Sequence, residues 1–349
     1  MPVVRRAALN KNPMPHTFII AEAGVNHNGS IDLALQLIDA AHASGADAVK
    51  FQTFRADLLA THSAPKAAYQ KRKTATTESQ FDMLKLLELD AKAHRRLIDH
   101  CRKIGIQFLS SPFDLQSADL LATMGLPLFK VPSGEITNFP FLRHVARKGL
   151  PLIVSTGMST LGEVEEAVNV LQAEGVTQLT LLHCVTEYPA PYAEVNLRAM
   201  QTLKSAFGLP VGYSDHTPGI EIAVAAVAMG AVVIEKHFTL DRSLPGPDHA
   251  ASLEPLELQQ MIAAIRHVEA ALGTGIKAPA PCERPNLPVA RKSVVATRSL
   301  AAGHRLAARD LAIKRPGTGL APKLLPVLIG RSLRAAVIKD EVMTWKHLA

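Results

Sequence analysis

Two lysines interrupt apolar runs of the sequence. Lys50 lies within Ala-Val-Lys-Phe and Lys130 within Leu-Phe-Lys-Val, and hydroxyl side chains follow both runs. A charged side chain inside an apolar strand is costly unless it is paired or used. Two ammonium groups with several hydroxyl groups would form a cradle for a phosphate and a carboxylate. We therefore interpret both lysines as anion-binding residues, whereas any single hydroxyl could instead cap a following helix.

His216 and His237 end two neighbouring candidate strands, close to Asp215 and Asp248. Two neutral imidazoles with open positions suit a divalent metal that acts as a Lewis acid. A single histidine is more often structural, but the matched pair favours a metal. Because two protein ligands are few for tight zinc binding, we predict Mn²⁺, with Mg²⁺ as the alternative, and substrate oxygens completing the shell.

Eight short runs rich in Val, Ile, Leu and Phe alternate with segments of helical periodicity. The predicted strands are Phe18–Gly24, Ala48–Phe54, Ile106–Phe113, Leu128–Glu135, Leu152–Met158, Leu179–Val185, Val211–Asp215 and Val232–Phe238. The predicted helices include Ile31–Ala43, Ser79–Ile104, Glu163–Ala173, Ile220–Met229 and Pro255–Leu272. This α/β alternation predicts parallel strands. The count of eight, and the lack of a Gly-x-Gly-x-x-Gly turn after the first strand, favour a (β/α)8 TIM barrel over an open doubly wound sheet.

The reacting groups of such a barrel lie where strands end and loops begin. The polar residues at these ends are Glu22, Asn26, His27, Lys50, Gln52, Ser110, Ser111, Lys130, Ser133, Glu135, Ser155, Thr156, His183, Thr186, Glu187, Tyr188, Ser214, Asp215, His216, Glu235, Lys236 and His237. Polar groups at every strand end predict one shared site. His183 and Cys184 do not form a nucleophilic dyad, because adjacent strand residues point to opposite faces.

Composition excludes several classes of protein. With 48% hydrophobic and 20% charged residues, the chain should fold around a sizeable core. Its three widely spaced cysteines favour a reducing compartment. No apolar signal-peptide core follows the first arginines, and no run approaches the ~18 apolar residues of a membrane span. We therefore predict a cytoplasmic protein that does not engage a membrane.

A Pro/Gly-rich segment separates a basic C-terminal module from the rest. We predict an N-terminal extension over 1–16, the barrel over 17–272, an extended linker over 273–288 and a module of short strands over 289–349. From residue 285 onward there are 12 Lys/Arg and 3 Asp/Glu, a net charge of +9, against −2 for the remainder. Trp345 is the module's one aromatic residue. Since single-strand binders need stacking residues, we expect no nucleic acid, but an anionic substrate or an acidic partner subunit.

The sequence resembles the sialic acid synthase family, bacterial enzymes that make N-acetylneuraminate and related nonulosonates. The matching motifs are Ala21-Glu-Ala-Gly-Val-Asn-His-Asn-Gly29, Val49-Lys-Phe-Gln-Thr53, Lys130-Val-Pro-Ser-Gly-Glu135, Ser155-Thr-Gly-Met158, His183-Cys-Val-Thr-Glu-Tyr-Pro189, Gly212-Tyr-Ser-Asp-His-Thr217, Glu235-Lys-His-Phe-Thr239 and Pro245-Gly-Pro-Asp-His249. The tail module, with Lys314-Arg-Pro-Gly317, resembles the family's small, mainly β antifreeze-like (SAF, β-clip) domain.

This resemblance implies a role for each matching residue. His216 and His237 would hold the metal. Phosphoenolpyruvate would be held by Lys50, Ser111, Lys130, Ser133, Ser155, Thr186 and Ser214. The amino sugar would contact Gln52, Glu135, Tyr188 and Asp248, and Arg315 would reach it from the partner subunit's tail in a domain-swapped homodimer. Glu22 or Glu135 would be the base, and Glu22 is favoured.

The implied reaction is condensation of phosphoenolpyruvate with open-chain N-acetylmannosamine to give N-acetylneuraminate and phosphate. The alternative acceptor is 2,4-diacetamido-2,4,6-trideoxymannose, which gives N,N'-diacetyllegionaminate. Several residues depart from the family pattern: Ser111, Thr186, Thr318 and the Lys73-Thr74 pair. Thr318 and Lys73-Thr74 correspond to positions near the sugar, so they leave the identity of the acceptor undecided between the two. Lys73 and the segment 134–138 are the features that support the second acceptor. The other classes considered are a non-catalytic binding protein and a pyruvate-using, metal-dependent aldolase.

Overall fold

The structure, a computed structural model, describes residues 16–67, 70 and 79–349. It divides into two units, Met1–Gly273 and Thr274–Ala349. The predicted N-terminal extension, apart from its last residue, and the Lys73-Thr74 pair lie outside the described residues.

Eight parallel strands form a ring in the first unit. They are β1 (Phe18–Gly24), β2 (Ala48–Thr53), β3 (Gln107–Pro112), β4 (Phe129–Val131), β5 (Leu152–Ser155), β6 (Leu179–Cys184), β7 (Val211–Asp215) and β8 (Val233–His237). The hydrogen-bonded order is β3-β2-β1-β8-β7-β6-β5-β4, and β4 packs beside β3, so the ring nearly closes. The barrel prediction is confirmed, and the doubly wound alternative is wrong.

Helices follow the strands and pack around them. Among the described residues of the first unit they are α1 (Ile31–Ala43), α2 (Ala56–Leu59), α3 (Gln80–Leu87), α4 (Ala91–Ile104), α5 (Leu115–Thr123), α6 (Phe139–Ala146), α7 (Leu161–Ala173), α8 (Ala199–Phe207), α9 (Glu221–Ala228) and α10 (Pro255–Leu272). In α1, the buried residues Ala34, Leu37, Ile38 and Ala41 recur at helical spacing and give it one apolar face. Thr160 and Glu163 form the capping box that starts α7.

Several predicted elements differ from the structure; the strand predicted over Leu152–Met158, for example, ends at Ser155. The helix predicted over Ser79–Ile104 is two helices, because Glu88 leaves α3 in an extended conformation and Asp90 caps α4 by accepting from the Ala93 amide at 2.7 Å. The strand predicted to reach Glu135 ends at Val131. Pro132 has no N–H to donate to the sheet, and Ser133–Glu135 form a 3₁₀ turn instead.

The second unit is built from short elements. An antiparallel pair, β9 (Ser293–Ala296) and β10 (Leu311–Lys314), packs over a small core that includes Leu306, Leu328 and Met343. The segment predicted as an extended linker contains a 3₁₀ helix, Pro281–Asn286, and α11 (Leu287–Ala290). Proline is tolerated in the first turn of a helix, which explains the difference. A short helix, α12, covers Leu325–Leu328. None of the helices in the described residues is long and apolar enough to cross a membrane.

Candidate active site

A cavity of about 360 Å³ lies at the carboxyl ends of the barrel strands. The predicted site residues that line it are Glu22, Lys50, Gln52, Ser111, Lys130, Ser133, Glu135, Ser155, Thr186, Tyr188, Ser214, His216, His237 and Asp248. Arg315 belongs to the second unit, where it is exposed and its Nε donates to the Ala290 carbonyl at 3.1 Å. The fold of the first unit therefore gathers residues from all eight strand ends around one space.

Two lysines and two carboxylates form a buried charge cluster at the floor of this cavity. Lys50 Nζ lies 2.5 Å from Glu22 Oε2 and 3.7 Å from Glu235 Oε2, and Lys130 Nζ donates to Glu235 Oε1 at 3.1 Å. Burial raises the pKa of Glu22 to about 7 against the opposing charge of Lys50. Burial alone would also raise the pKa of Glu235, but Lys130 and Lys50 hold it at about 2. The lysines are thus paired with acidic groups that an incoming anion must compete with.

Hydroxyl groups surround this charge cluster. Ser111 Oγ accepts from Lys50 at 3.1 Å, and Ser214 Oγ donates to Glu235 Oε1 at 3.0 Å. Ser155 Oγ and Thr186 Oγ1 are buried, and neither has a hydrogen-bond partner within the part of the chain that the structure describes. Buried polar atoms are nearly always satisfied, so these two hydroxyls indicate a polar ligand in the cavity.

A glycine brings the loops after β4, β5 and β6 together. The Gly157 amide donates to Ser133 Oγ at 3.0 Å. A Cβ atom on Gly157 would lie 2.3 Å from Thr186 Oγ1, 2.8 Å from Ser133 Oγ and 2.9 Å from Cys184 Sγ. The close packing of these hydroxyls therefore requires a residue without a side chain at this position.

The two histidines lie side by side at the cavity wall. Their ring centroids are 5.6 Å apart, and the Tyr188 ring lies 4.2 Å from His216 and 5.5 Å from His237. His216 Nδ1 donates to the Val185 carbonyl at 2.5 Å, which leaves Nε2 with its lone pair. His237 Nδ1 is buried without a hydrogen-bond partner among the described residues.

Both imidazoles are suited to binding a metal. Burial lowers the pKa of His216 to about 4, and burial together with the neighbouring His216 takes the pKa of His237 well below its usual value. Neutral rings with available lone pairs fit a divalent cation. In the described ranges no group of three or more His, Cys, Asp or Glu side chains could hold a metal. The remaining ligands would therefore be oxygens of substrate or water.

The sheet register explains why these histidines are neighbours. Asp215 on β7 pairs with Lys236 on β8, and the residue that follows each of them is a histidine, His216 or His237. The Lys236 ammonium also donates to Asp215 Oδ2 at 2.8 Å, and both side chains are fully buried. Because side chains alternate along a strand, this ion pair points away from the cavity while His237 points into it.

The predicted sugar-binding residues form a second polar group in the cavity. Gln52 Nε2 donates to Glu22 Oε1 at 3.4 Å, and Asn138 Nδ2 donates to Glu135 Oε2 at 2.6 Å. Burial raises the pKa of Asp248 to about 6, although Lys50 partly opposes the shift. These amide and carboxyl groups offer donors and acceptors to the hydroxyl groups of a sugar.

An apolar wall also lines the cavity, and sequence analysis did not find it. Its residues are Val25, Leu59, Met83, Leu84, Leu87 and Phe113. They pack with Phe54 as a cluster separate from the barrel core. Apolar residues in loops and in a helix look like core residues in a sequence, whereas polar residues at strand ends stand out. Glu235 was also missed as a site residue: it was recognised as a polar strand end but given no role.

Comparisons identify related proteins. The sequence model of the NeuB family matches residues 37–277, and that of the SAF domain matches residues 291–349. The chain is 52% identical over 332 residues to the N,N'-diacetyllegionaminic acid synthase of Campylobacter jejuni, covering 95% of this chain and 99% of that relative. It is 48% identical over 335 residues to the enzyme of the same name from Legionella pneumophila, covering 95% of this chain and 94% of that relative.

A solved structure supports the same grouping. The N-acetylneuraminic acid (sialic acid) synthetase of Leptospira borgpetersenii serovar Hardjo-bovis, in complex with citrate, matches with a TM-score of 0.69 and 36% sequence identity. The match covers 79% of this chain and 90% of that chain. The family model spans most of the barrel, the domain model spans the tail, and the identity to both relatives extends over nearly the whole chain. The chain therefore belongs to the NeuB family and carries a C-terminal SAF domain.

Proposed function

We propose that the chain is an N,N'-diacetyllegionaminate synthase, which condenses phosphoenolpyruvate with open-chain 2,4-diacetamido-2,4,6-trideoxymannose. The family makes the chain a phosphoenolpyruvate-dependent sugar-acid synthase. The choice of acceptor rests on one observation, the 52% identity to a legionaminic acid synthase. The sialic acid synthetase of known structure is only 36% identical. N-acetylmannosamine, the acceptor first expected from the sequence, therefore becomes the second candidate.

The charge cluster supports the role of donor binding. Lys50 and Lys130 would grip the phosphate and carboxylate of phosphoenolpyruvate, with Ser155 and Thr186 supplying the hydroxyls that have no partner among the described residues. Glu235 holds both ammonium groups in the floor of the cavity before the donor arrives. This arrangement keeps the lysines oriented in a water-poor site, where their charge acts most strongly.

The proposed reaction uses these contacts. The enol carbon of phosphoenolpyruvate forms a bond to the aldehyde carbon of the acceptor, whose oxygen takes up a proton. A bound Mn²⁺ or Mg²⁺, held by His216 and His237, would polarise that aldehyde oxygen. Water then adds to C2 of the donor and gives one proton to Glu22 or Glu135. The C–O bond to phosphate breaks, the added oxygen becomes the C2 carbonyl, and the two protons of the water end on the new hydroxyl group of the product and on the released phosphate. Both carboxylates line the cavity, which supports either of them as the base.

The test measures phosphate release from phosphoenolpyruvate with each of the two acceptors, with and without Mn²⁺. We expect a higher kcat/KM with the trideoxy sugar, loss of activity after chelation, and loss of metal binding in His237→Ala. In ¹⁸O-labelled water the label should enter the sugar acid. A preference for N-acetylmannosamine would overturn the choice of acceptor, and label in the released phosphate would overturn C–O cleavage.

The proposal also includes a homodimer in which Arg315 of one subunit completes the site of the other, in the cytoplasm. The exposed guanidinium of Arg315 and the basic charge of its unit support the dimer, and the three free thiols support a reducing compartment. Co-expressed His237→Ala and Arg315→Ala chains test the exchange. Random pairing should restore about a quarter of the wild-type sites, because each mixed dimer has one intact site. No recovery above the single variants would show that Arg315 does not act across subunits.

A further inference from the structure

We propose that the apolar wall formed by Val25, Leu59, Met83, Leu84, Leu87 and Phe113 binds the C6 methyl group of the acceptor and selects a 6-deoxy sugar over its 6-hydroxy counterpart. This inference rests on the proposed function and names the residues that decide between acceptors. It gives the methyl group that ends the carbon chain of the trideoxy sugar an apolar surface to contact.

The wall consists of apolar side chains that are buried or half-buried. Val25 and Met83 are 4% exposed and Leu87 is 7% exposed, while Leu59, Leu84 and Phe113 are half-buried. All six line the same cavity as the lysines and histidines. A cavity with charged groups on its floor and an apolar surface on one side favours ligands that are polar at one end and apolar at the other.

The position of the wall in the chain matches the far end of the acceptor. The aldehyde carbon must lie beside the donor, so C1 is near the lysines and C6 is at the opposite end of the open chain. Lys50 and Lys130 lie within strands, whereas Val25, Leu59 and Phe113 follow strand ends and α3 lies outside the barrel strands. The wall therefore lies beyond the ends of the strands that carry the two lysines.

The helix that carries half of the wall is firmly held. Ser79 and Asp82 form a capping box at the start of α3, and the Lys85 ammonium donates to Asp57 at 3.3 Å. A Cβ atom on Gly29 would lie 2.5 Å from the Leu86 carbonyl oxygen, so the helix backbone packs directly on the turn after β1. The side chain of Leu86 points away from the wall and is 70% exposed.

The contact discriminates through solvation. A methyl group gains by leaving water for this surface, whereas a hydroxyl group there would lose its hydrogen bonds to water. An apolar pocket rejects an added hydroxyl only modestly, and we expect a preference of about 10- to 100-fold in kcat/KM.

The experiment uses three matched substitutions on one helix: Met83→Gln, Leu84→Gln and, as control, Leu86→Gln. Phosphate release is measured with phosphoenolpyruvate and Mn²⁺ for 2,4-diacetamido-2,4,6-trideoxymannose and for the same sugar with a hydroxyl at C6. Met83→Gln and Leu84→Gln should each lower the ratio of kcat/KM for the 6-deoxy sugar to kcat/KM for the 6-hydroxy sugar by about 10-fold. The introduced amide can form a hydrogen bond to the C6 hydroxyl group, whereas it would lose its hydrogen bonds to water when it is buried against the C6 methyl group. Leu86→Gln should leave the ratio unchanged.

The outcomes separate this inference from the proposed function. Absence of phosphate release with every acetamido sugar in the wild-type enzyme would overturn both. A wild-type enzyme that prefers the 6-deoxy acceptor, while Met83→Gln and Leu84→Gln keep the same ratio as Leu86→Gln, would overturn only the role of the wall. Leu84 is half-buried, so its variant should fold even if Met83→Gln does not.

Discussion

At the scale of single residues, the charges beneath the cavity are balanced before any substrate binds. Glu235 contacts both lysines, and Glu22 contacts Lys50. A donor that binds as proposed would replace carboxylate contacts of the lysines with contacts from its own phosphate and carboxylate. Binding would then exchange one set of ion pairs for another, so that neither lysine loses its counter-charge.

Replacing Lys130 should weaken donor binding. Lys130→Met removes one ammonium group from the cradle, and we expect kcat/KM for phosphoenolpyruvate to fall by about 100- to 1,000-fold. The control is Lys148→Met, which removes a lysine that pairs with Asp119 on the outside of the barrel. Initial rates of phosphate release at varied donor concentration measure both. An unchanged kcat/KM in Lys130→Met would show that this lysine does not hold the donor.

Residue types predicted the polar part of the site because charge inside an apolar strand is rare. Lys50 and Lys130 were found in this way, and the barrel then brought them to one cavity. The same rule gave no role to Glu235, since its importance lies in its two lysine partners on β2 and β4, which only the closed barrel brings within reach of β8. Met83 and Leu84 were missed because an apolar side chain lining a cavity looks like core in a sequence.

At the scale of elements, the loops after β4, β5 and β6 meet at Gly157, which has no side chain. Gly157→Ala would insert a methyl group between Ser133, Thr186 and Cys184. We expect the KM for phosphoenolpyruvate to rise by about 10-fold or more, since small displacements in a positioned site are costly. Gly162→Ala is the matched control, because a Cβ there meets open space and alanine favours α7. Equal KM values for the two variants would contradict this role.

Element boundaries were predictable where local chemistry sets them. The bounds of α1 and α10 match the prediction, and Ser30 caps α1 by accepting from the Leu33 amide. The split between α3 and α4 was missed because apolar periodicity continues through Leu87 and Leu89, while the capping aspartate, Asp90, lies inside the run. Periodicity reports which residues face the core and does not show where the backbone turns.

At the scale of the whole molecule, the basic second unit depends on one buried carboxylate. Asp310 accepts from His304 Nε2 at 2.8 Å, from Arg298 Nη2 at 2.9 Å and from the Ala307 amide at 3.0 Å. The hydrogen bond from His304, followed by those from Ala307 and Arg298, holds the pKa of Asp310 below its usual range. The ionised carboxylate therefore stabilises the folded unit.

Asp310→Asn should make the second unit less stable at neutral pH. The pKa is depressed in the folded state, so the stabilisation is fully present above the unfolded pKa of about 3.9 and is lost as the pH falls through the lower, folded value. Calorimetry of the full chain should show a melting temperature several degrees lower for Asp310→Asn at pH 7, and a smaller difference at pH 3. A difference that stays constant between these pH values would contradict the assignment. Asp340→Asn, at an exposed pair with Lys314, is the control and should change little.

The docking of α3 on Gly29 has an evolutionary consequence. Eight residues of this helix belong to no strand, so they can change without disturbing the groups that make and break bonds. Substitutions in this short segment would therefore change the surface offered to the acceptor sugar and leave the reacting groups in place. Position 29 must remain glycine in such variants, because a larger residue there would collide with the Leu86 carbonyl oxygen and displace the helix.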